Sequence, residues 1–473
     1  MLACLQAAWA QIFVPQLPAD KGPALSADYE VAVRPQSGGE WQQVPVLRCD
    51  VNTRRVQRAA YAEFDMGEPV VVRVVCHQKE TPAVVTAGDV RVRPTSRAIA
   101  PVVTDSNAIE LTLQRPEYLS IEFGGDRHHN LHLFANAMHE APAIPQDESV
   151  INWEGQNAQD VFVRDARFIY FGPGVHRPKD LPSEEIKIPS NCTVYLAPGA
   201  VVKARLIVDH AENVRIVGRG IVDHPLRGVE ITYSKHVVVD GLTFLNPAHY
   251  TIYGGQSSDI TVRNIKSFSA RSWSDGIDLM CCSDVLVENC FLRTSDDCIA
   301  IYNHRWWYWG GSSNIEVRGC VFWPDVAHAV NIGTHGDDRN PEGETLSGVN
   351  IHGCDVLYGD DESVLAVNCG DRNHIGNVLF DDIRVEGAVR GALFDLRVLF
   401  SEKYNRAPGC CIDSVGLSRI TVDEPSAAVL APGRLTHYNA AHRVSNISFS
   451  NIRLGSRPFD PSRDVVEDTI VKP

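Results

Sequence analysis

The chain has 473 residues, of which 44% are hydrophobic and 22% are charged, and its formal net charge is -15. This length predicts two domains, or one elongated repeat with an appendage. The acidic balance argues against a nucleic-acid partner, and it disfavours a polyanionic substrate unless a local basic pocket overrides it. No apolar run reaches the roughly 18 residues that could span a membrane, so no membrane partner is expected.

The first residues, MLACLQAAWAQ, leave two interpretations open. The Ala-Trp-Ala before Gln11 resembles the end of a signal peptide, but the stretch has no basic start and only a very short apolar part. It is either a truncated signal peptide, which would favour a secreted or periplasmic location, or a first strand.

Residues 1–150 contain short strands of alternating apolar and polar residues, broken often by Pro and Gly. These strands are predicted at 29–35, 70–77, 90–94, 109–114 and 118–123. The pattern favours an antiparallel β-sandwich. The stretch HEAPAIPQDESV at 139–150 is typical of a linker. We therefore predict an N-terminal β-sandwich domain over residues 1–150.

Four histidines near the predicted domain boundary raise the question of a metal site. They are His128, His129, His132 and His139. Their spacing does not match the HExxH pattern of zinc enzymes. We interpret them as structural residues.

Residues 151–473 contain an internal repeat of one strand template. Its copies lie at 237–246, 259–268, 284–293, 314–323, 348–357, 377–386 and 446–455. Each copy alternates apolar and polar residues, turns at Asp, Asn or Gly, and alternates again, which indicates strands with one buried face. No helical stripe of similar strength separates them, so each unit must bury its apolar face against its neighbours. We predict a right-handed parallel β-helix. Leucine-rich repeats are the competing solenoid, but their Leu-x-x-Leu-x-Leu pattern is missing.

The 13 cysteines are an odd number, which excludes a framework in which every cysteine forms an intramolecular disulfide. Seven of them lie in the repeat, and no CxxC pair with zinc spacing occurs. Buried thiols stacked in the core are favoured over metal ligands. We expect no metal and no other cofactor.

Three carboxylates form the main candidate site. Asp275 and Asp296 are 21 residues apart, close to one coil of the predicted solenoid, and Asp297 follows directly. Residues one coil apart lie above each other at a spacing of about 4.8 Å, so the three should cluster. Carboxylates this close cannot all ionise freely, so at least one pKa should be raised. One protonated and one ionised carboxyl are the groups that cleave a glycosidic bond.

Two further aspartates in the same stretch are interpreted as structural. Asp278 lies three residues after Asp275 and is expected to face a turn. Asp284 begins a copy of the strand template, where Asp or Asn recurs for reasons of turn geometry.

The motifs SDGID at 274–278 and SDDCIAI at 295–301 resemble the polygalacturonase superfamily, glycoside hydrolase families 28 and 49. The family 28 pattern is Asn-Thr-Asp-Gly, then Gly-Asp-Asp-Cys-Ile-Ala-Ile, then Gly-His-Gly, then Arg-Ile-Lys. The stretch FLNPAHYTIY at 244–253 resembles the Asn-Ser-Pro coil of that family. The similarity covers roughly residues 165–400 and implies a parallel β-helix enzyme that hydrolyses glycosidic bonds.

The resemblance also implies roles for the three carboxylates. Asp296 matches the general acid, and Asp275 and Asp297 match the pair that positions and activates the attacking water. The family inverts the anomeric configuration without a metal. A carboxylate separation near one coil spacing would instead suggest retention. We follow the family, because the spacing of two backbones does not determine the distance between side-chain oxygens.

The chain departs from the family pattern at two places. Gly-His-Gly appears as AHA at 327–329, which keeps the imidazole of His328 as a substrate-binding candidate. Arg-Ile-Lys corresponds to SVLAVNC at 363–369, which has no basic residue. Since those cations hold a substrate carboxylate, their absence argues for a neutral sugar at the cleaved position, unless Arg390 or Arg397 replaces them from a neighbouring coil.

The loop HRWWYWGG at 304–311 follows the paired aspartates directly. Its aromatic residues cannot all be buried beside a Gly-Gly turn, and flat aromatic faces suit sugar stacking. We predict that Trp306 and Trp309 bind substrate. Trp273, beside the first aspartate motif, is a further candidate.

Together these features predict a two-domain inverting glycoside hydrolase with a carbohydrate substrate. The pairing of a sandwich with a β-helix resembles family 49, the dextranase and isopullulanase group, so a neutral glycan is the first expectation and a galacturonide the second. A calcium-dependent polysaccharide lyase and a non-catalytic glycan-binding β-helix are the rival classes. The sequence gives no indication of an oligomeric state.

Overall fold

The computed structural model describes residues 12–18, 22–78, 84–146, 150–152, 165–178, 184–359, 361–387 and 390–470. The described chain divides into two compact units. One comprises Met1–Cys49 and Arg58–Pro142, and the other comprises Asp50–Gln57 and Ala143–Pro473. The stretch 1–11, with its open choice between signal peptide and strand, lies outside the described residues. The domain boundary near residue 150 stays a prediction, because residues 147–149 and 153–164 also lie outside them.

The N-terminal unit consists of two β-sheets. Its strands are β1 (Ile12–Phe13), β2 (Tyr29–Pro35), β3 (Gln42–Val44), β4 (Val46–Val51), β5 (Gln57–Met66), β6 (Val70–Cys76), β7 (Val90–Arg93), β8 (Val102–Asp105), β9 (Ala108–Leu113), β10 (Glu117–Phe123) and β11 (Leu131–Ala137). One sheet has the order β1-β5-β11-β10-β7, with β4 also paired to β5, and the other has the order β3-β2-β6-β9-β8. Two 3-10 helices, Ala87–Asp89 and Thr95–Arg97, connect strands of this unit.

The two sheets pack on one apolar core, as a sandwich requires. On β6, Val70, Val72 and Val74 are fully buried while the residues between them are partly exposed. They share the core with Leu133 of the other sheet. The pairs β1–β5, β10–β11, β7–β10, β2–β3, β2–β6, β6–β9 and β8–β9 are antiparallel, whereas β5 and β11 run parallel. The predicted antiparallel sandwich is therefore present, with one parallel pair.

The C-terminal unit contains the remaining strands. They are β12 (Val150–Asn152), β13 (Phe168–Phe171), β14 (Gly174–His176), β15 (Glu185–Lys187), β16 (Thr193–Leu196), β17 (Ala200–Val202), β18 (Arg205–Asp209), β19 (Glu212–Gly218), β20 (Ile221–Asp223), β21 (Val229–Thr232), β22 (Lys235–Asp240), β23 (Thr243–Leu245), β24 (Ile252–Gly255), β25 (Ser258–Arg263), β26 (Lys266–Phe268), β27 (Ile277–Met280), β28 (Ser283–Glu288), β29 (Phe291–Thr294), β30 (Ile299–Tyr302), β31 (Ser312–Arg318), β32 (Val321–Pro324), β33 (Val330–Gly333), β34 (Thr345–Val356), β35 (Leu365–Cys369), β36 (His374–Val385), β37 (Phe394–Val398), β38 (Cys411–Val422), β39 (Gly433–His437), β40 (Val444–Ser450), β41 (Arg453–Leu454), β42 (Arg457–Pro458) and β43 (Val465–Thr469). The helices α1 (Glu424–Ala427) and α2 (Pro461–Asp464) are short, and neither could span a membrane.

These strands wind into a right-handed parallel β-helix, which confirms the predicted fold. In the central coils, three consecutive strands make one turn, for example β25, β26 and β27, and each pairs in parallel with its counterpart in the next turn. The last strand of each turn belongs to one sheet of the order β15-β18-β21-β24-β27-β30-β33-β35-β37-β39-β43. We call it the eleven-stranded sheet.

The interior of the β-helix is filled by apolar residues that stack from coil to coil. Cys290, Cys320 and Cys354 are fully buried at equivalent positions of successive coils. The cysteines within the described residues are free thiols. The interpretation of the repeat cysteines as small core residues is therefore confirmed.

The Asp and Asn residues that recur in the strand template occupy left-handed backbone positions. Asp259, Asp284 and Asn314 begin successive coils with φ angles of 51°, 55° and 53°. Asn and Asp tolerate this conformation better than other residues with a side chain. The Asn314 side chain also donates a hydrogen bond to Asp284, at 2.6 Å. Asp284 thus has the turn role predicted for it.

Candidate active site

The candidate site lies at the turns that enter the eleven-stranded sheet. Ile277 on β27 is paired with Ile299 on β30, and Ile299 with Val330 on β33. Asp275, Asp297 and His328 each lie two residues before one of these paired residues. They therefore occupy equivalent positions in three successive coils. Asp275 stacks on Asp297 in this register, whereas the 21-residue spacing had suggested Asp296.

A glycine lets the two aspartate turns stack closely. The Gly276 N–H donates to the Asp297 carbonyl oxygen at 2.8 Å. A Cβ at position 276 would lie inside van der Waals contact with the Cys298 carbonyl oxygen. The Asp-Gly pair of the motif thus has two separate functions, since Asp275 presents a carboxylate and Gly276 allows the next coil to approach.

The three predicted carboxylates form one cluster. Oxygens of Asp275, Asp296 and Asp297 all lie within 4.8 Å of one another. Asp275 and Asp297 are each 5% exposed, and Asp296 is more accessible. At this separation the negative charge of one carboxylate disfavours the ionisation of its neighbours. Three carboxylates could also hold a divalent cation, which is the chemistry that a lyase would need.

The crowding raises the pKa of each carboxyl. Burial and the neighbouring charge of Asp297 raise the pKa of Asp296 to about 7. Burial, together with the charges of Asp278 and Asp296, raises the pKa of Asp275 well above its usual value. Because the groups interact, the protons leave in steps that belong to the whole cluster. Near neutral pH the cluster is therefore not fully ionised.

Asp297 is the member of the cluster with the most hydrogen bonds. One of its oxygens accepts the backbone N–H of His328 at 2.9 Å, and the other accepts the Asn331 side-chain amide at 2.8 Å. Burial raises the pKa of Asp297, but the positive charge of His328 and these hydrogen bonds oppose the shift. Asp297 is thus held in one orientation, with its ionised form favoured by its partners.

His328 supplies a cation beside the cluster. Its Nδ1 lies 2.6 Å from the Ser363 carbonyl oxygen, and its Nε2 lies 3.0 Å from a carboxylate oxygen of Glu362. Burial works against the charged imidazole, but Glu362 and Asp297 raise the pKa of His328 to about 9. His328 therefore carries a positive charge at neutral pH, with both ring nitrogens donating.

The cluster lies in the wall of a cavity of about 530 Å³. Trp273 and Trp306 line this cavity, as do His328 and the three aspartates. Trp273 is 67% exposed, so its indole face is free for a ligand. The structure thus places two of the three predicted tryptophans beside the carboxylates.

The structure does not bring Trp309 to this cavity. Its indole stacks on the His304 ring, with centroids 3.6 Å apart, and Arg339 lies 4.2 Å over its face. A substrate contact by Trp309 stays a prediction.

Basic residues line the cavity although the stretch 363–369 contains none. Arg397 on β37 and Arg305 of the 304–311 loop both line it. Arg397 is aligned with Asn368 of the adjacent strand β35 and donates from Nε to the Asn368 side-chain oxygen at 3.0 Å. Arg390 is not among the lining residues. The neutral-sugar expectation assumed that no basic residue takes the place of those missing from 363–369. That assumption is corrected, because the basic side chain of Arg397 lines the cavity from the next coil.

Asp278 differs from its predicted place in a turn. It lies on β27, is fully buried, and has a carboxylate oxygen 3.7 Å from Arg305 Nη1.

The sequence did not predict Arg305 as a cavity residue, although the aromatic residues of the same 304–311 loop were predicted to bind substrate. Asn331 was also not predicted, although it is the second residue of the stretch VNIG that follows the AHA motif. For Glu362 the sequence carried no signal.

The sequence profile of the family described as "Glycosyl hydrolases family 28" matches residues 204–454, a range that contains the whole cluster. A polygalacturonase from Chamaecyparis obtusa is 32% identical over 114 residues, which are 24% of this chain and 20% of the relative. One from Juniperus ashei is 30% identical over 110 residues, which are 23% of this chain and 20% of the relative. This chain thus spans about a fifth of the length of those relatives.

Among solved structures, Dex49A from Penicillium minioluteum is similar to this chain with a TM-score of 0.56 and 14% identity. The similarity covers 86% of this chain and 90% of Dex49A. At this identity the similarity indicates a shared fold. The expected resemblance to family 28 is confirmed, and Dex49A shares the fold.

Replacing Gly276 with alanine tests the close stacking of the two aspartate turns. We expect Gly276→Ala to lower the free energy of unfolding by about 1–3 kcal/mol, because the methyl group must displace backbone of the next coil. Urea denaturation measures the change. Gly359→Ala is the matched control, since a Cβ there would lie 3.5 Å from Val364 in ordinary contact. Equal stability of the two variants would contradict the stacked geometry.

Proposed function

The chain belongs to glycosyl hydrolases family 28, and from this membership we propose that it hydrolyses the O-glycosidic bonds of a uronic-acid polysaccharide, as its polygalacturonase relatives are named to do. The observation that carries the proposal is the cluster of three carboxylates in the cavity wall, with a basic residue, Arg397, lining the same cavity. Glycosidic cleavage needs an acid, a base and a means of holding the sugar, and the cavity offers groups for each.

Asp296 is the proposed general acid. It is the most accessible carboxyl of the cluster, and its pKa of about 7 keeps it protonated in mildly acidic solution. A carboxyl in this state can donate its proton to the leaving glycosidic oxygen. Once it has done so, the nearby charge of Asp297 favours its return to the protonated form.

Asp275 and Asp297 are the proposed pair that positions and activates the attacking water. Each oxygen of Asp297 accepts one hydrogen bond from a protein group, which fixes the orientation of the carboxylate and leaves lone pairs for a water. The positive charge of His328 stabilises the ionised form of Asp297, and Glu362 contributes only by holding His328 in its charged form, since its own carboxylate raises the pKa of Asp297. Asp275 faces the same position from the previous coil.

Arg397 supports an acidic sugar over a neutral one. Guanidinium groups bind carboxylates through charge-assisted hydrogen bonds. Asn368 holds the Nε of Arg397 at 3.0 Å, which leaves other donors of the guanidinium for a ligand. The neutral-sugar expectation depended on the absence of such a cation, so the galacturonide alternative becomes the proposed substrate class.

A reducing-end release assay tests the proposed function. We expect the wild-type protein to release reducing ends from polygalacturonate but not from dextran or other neutral α-glucans. Asp296→Asn should lower kcat by at least about 100-fold, the typical contribution of a general acid. The activity should be unchanged by a chelator. Activity that a chelator removes, with unsaturated products absorbing in the ultraviolet, would support the lyase class instead.

The pH dependence of the reaction follows from the state of the proposed acid. A group with a pKa near 7 is protonated below that value, so kcat/KM should fall as the pH rises through about 7. It should also fall at low pH, where the water-activating pair becomes protonated. Initial rates between pH 4 and pH 9 measure the profile, with circular dichroism at each pH as the control for folding. A rate that increases steadily above pH 7 would exclude Asp296 as the acid.

The stereochemical outcome separates two readings of the carboxylate spacing. Oxygens within 4.8 Å resemble the spacing of about 5 Å in retaining enzymes, whereas the family resemblance implies inversion. We expect inversion, because Asp275 and Asp297 are assigned to the activation of a water and not to a covalent intermediate. Proton NMR of the first product, recorded before mutarotation, identifies the anomer. A first product with the substrate's configuration would indicate a covalent intermediate.

A further inference from the structure

The cavity extends along the succession of coils in the β-helix. At one end its lining residues are His249 and Tyr250, in the turn before β24, and at the other end they include Arg397 on β37. These two strands are five positions apart in the eleven-stranded sheet, which corresponds to about 24 Å. A sugar chain bound in the cavity therefore runs across successive coils.

The carboxylate cluster does not lie in the middle of this cavity. Asp296 and Asp297 precede β30, which is two strand positions from β24 and three from β37. Those offsets correspond to about 10 Å and about 14 Å. Asp275 precedes β27 and is one position nearer to β24. The bond that the cluster cleaves is therefore close to the β24 end.

The 304–311 loop covers the sheet at the β24 end. It follows β30 along the chain, but its aromatic side chains contact the preceding coils. The Trp306 ring stacks on Tyr250, with centroids 5.9 Å apart and an angle of 19° between the ring planes. The hydroxyl oxygens of Tyr308 and Tyr253 lie 3.3 Å apart. The loop thus reaches back from the level of the cluster to the level of β24.

Protein side chains fill the outer face of the sheet beneath and beyond the loop. Glu230 on β21 and Tyr253 on β24 are paired, point outward and are buried. The Tyr253 hydroxyl donates to Glu230 at 2.9 Å, and Arg205 of β18 donates to the same carboxylate at 2.7 Å. Tyr308 is fully buried against Gly255, where a Cβ would overlap its ring. A sugar chain cannot continue over these strands, because their outward surface is occupied by groups that bind one another.

The loop is anchored at both of its ends. Glu344 accepts the N–H groups of His304 and Gly310 at 2.9 Å and 2.8 Å. The central carbon of the Arg305 guanidinium lies 4.8 to 5.6 Å from the ring centroids of three aromatic residues, Tyr302, Trp306 and Tyr250. These contacts hold the loop in place, so it forms a fixed wall of the cavity.

The outer face of the sheet is accessible on the opposite side, after β37. Arg434 on β39 and Val466 on β43 follow Asp395 of β37 in one outward row. The Arg434 side chain is 49% exposed and Val466 is 48% exposed, whereas Glu230, beyond the loop, is 6% exposed. A bound chain can therefore continue toward the later coils and not toward the earlier ones.

We propose that the protein acts at chain ends, because the 304–311 loop closes the cavity just beyond the bond that is cleaved. This inference rests on the proposed hydrolysis of a uronic-acid polysaccharide and adds its action pattern. A chain end occupies the β24 end of the cavity, and each turnover releases a short product of constant length. One water is consumed for each bond between an anomeric carbon and a glycosidic oxygen. The carbon receives the hydroxyl group and the leaving oxygen receives the proton, so the shortened chain has a new end that can enter the same place.

The test follows hexagalacturonate that carries a fluorescent label at its reducing end. Cleavage from the non-reducing end gives labelled fragments that shorten in order by a constant step. Cleavage from the reducing end gives one short labelled product from the first samples onward. Either result is expected for a chain-end enzyme. Labelled fragments of several intermediate lengths in the earliest samples would overturn the proposal.

Substitutions in the loop test whether the wall is the cause. We expect Trp306→Ala, which removes the ring stacked on Tyr250, to convert the wild-type pattern into a mixture of fragment lengths. Trp306→Phe keeps an aromatic ring there and should restore the wild-type pattern. Trp307→Ala is the matched control and should also keep it, since Trp307 is 59% exposed and does not line the cavity. A wild-type pattern in a folded Trp306→Ala variant, with an unchanged melting temperature, would refute the role of the wall.

The outcomes separate the action pattern from the proposed function. If the wild type cleaves the uronide at interior bonds, the chain-end inference is refuted and the proposed function stands. If the wild type cleaves no uronide, the number of Asp296→Asn molecules bound per chain of short and long polygalacturonate and dextran decides. One protein per chain at both lengths supports the closed end without the function. Several proteins per long chain, or no binding to either glycan, overturn the closed end together with the function.

Discussion

The parallel register of the eleven-stranded sheet is the constraint on which the site depends. In-register pairing sets residues of successive turns about 4.8 Å apart, so equivalent turn positions must come into contact. Asp275, Asp297 and His328 occupy such a row. No loop closure or ligand is needed to bring the carboxylates together. The fold itself supplies the energy that keeps like charges close, and the raised pKa of Asp296 is the electrostatic consequence.

The charge of the whole molecule is a poor guide to the charge of its cavity. A net charge of -15 suggested that a polyanionic substrate was unfavourable. The cavity nevertheless contains two arginines and a charged histidine beside its carboxylates. Long-range repulsion between an acidic surface and an anionic polymer is screened beyond about 10 Å at ordinary ionic strength. Contacts within the cavity are screened much less, so the cavity's own charges, and not the net charge of the molecule, decide whether an anionic group is favoured there.

The aromatic loop at 304–311 shows how one short segment can serve several purposes. Trp306 lines the cavity, Tyr308 fills the space above Gly255, and Trp309 stacks on His304 away from the cavity. The buried tyrosine anchors the loop, and the anchored loop holds Arg305 among aromatic rings. The aromatic composition of the loop alone suggested that its rings stack on a sugar. The contacts indicate instead a support for a cation, with one tryptophan beside the carboxylates.

The sequence by itself determined the fold and the identity of the acidic groups. The period-two template and its spacing predicted the parallel β-helix, and the SDGID and SDDCIAI motifs identified Asp275, Asp296 and Asp297. Both signals are regular along the chain, because a solenoid repeats the same short-range contacts in every coil. Only the tertiary structure decided that Asp275 stacks on Asp297, that Arg397 lines the cavity from the coil after 363–369, and that Arg305 lines the cavity while Trp309 does not. Those outcomes depend on the exact length of each turn and on where a loop folds back, and neither is recorded in a periodic pattern.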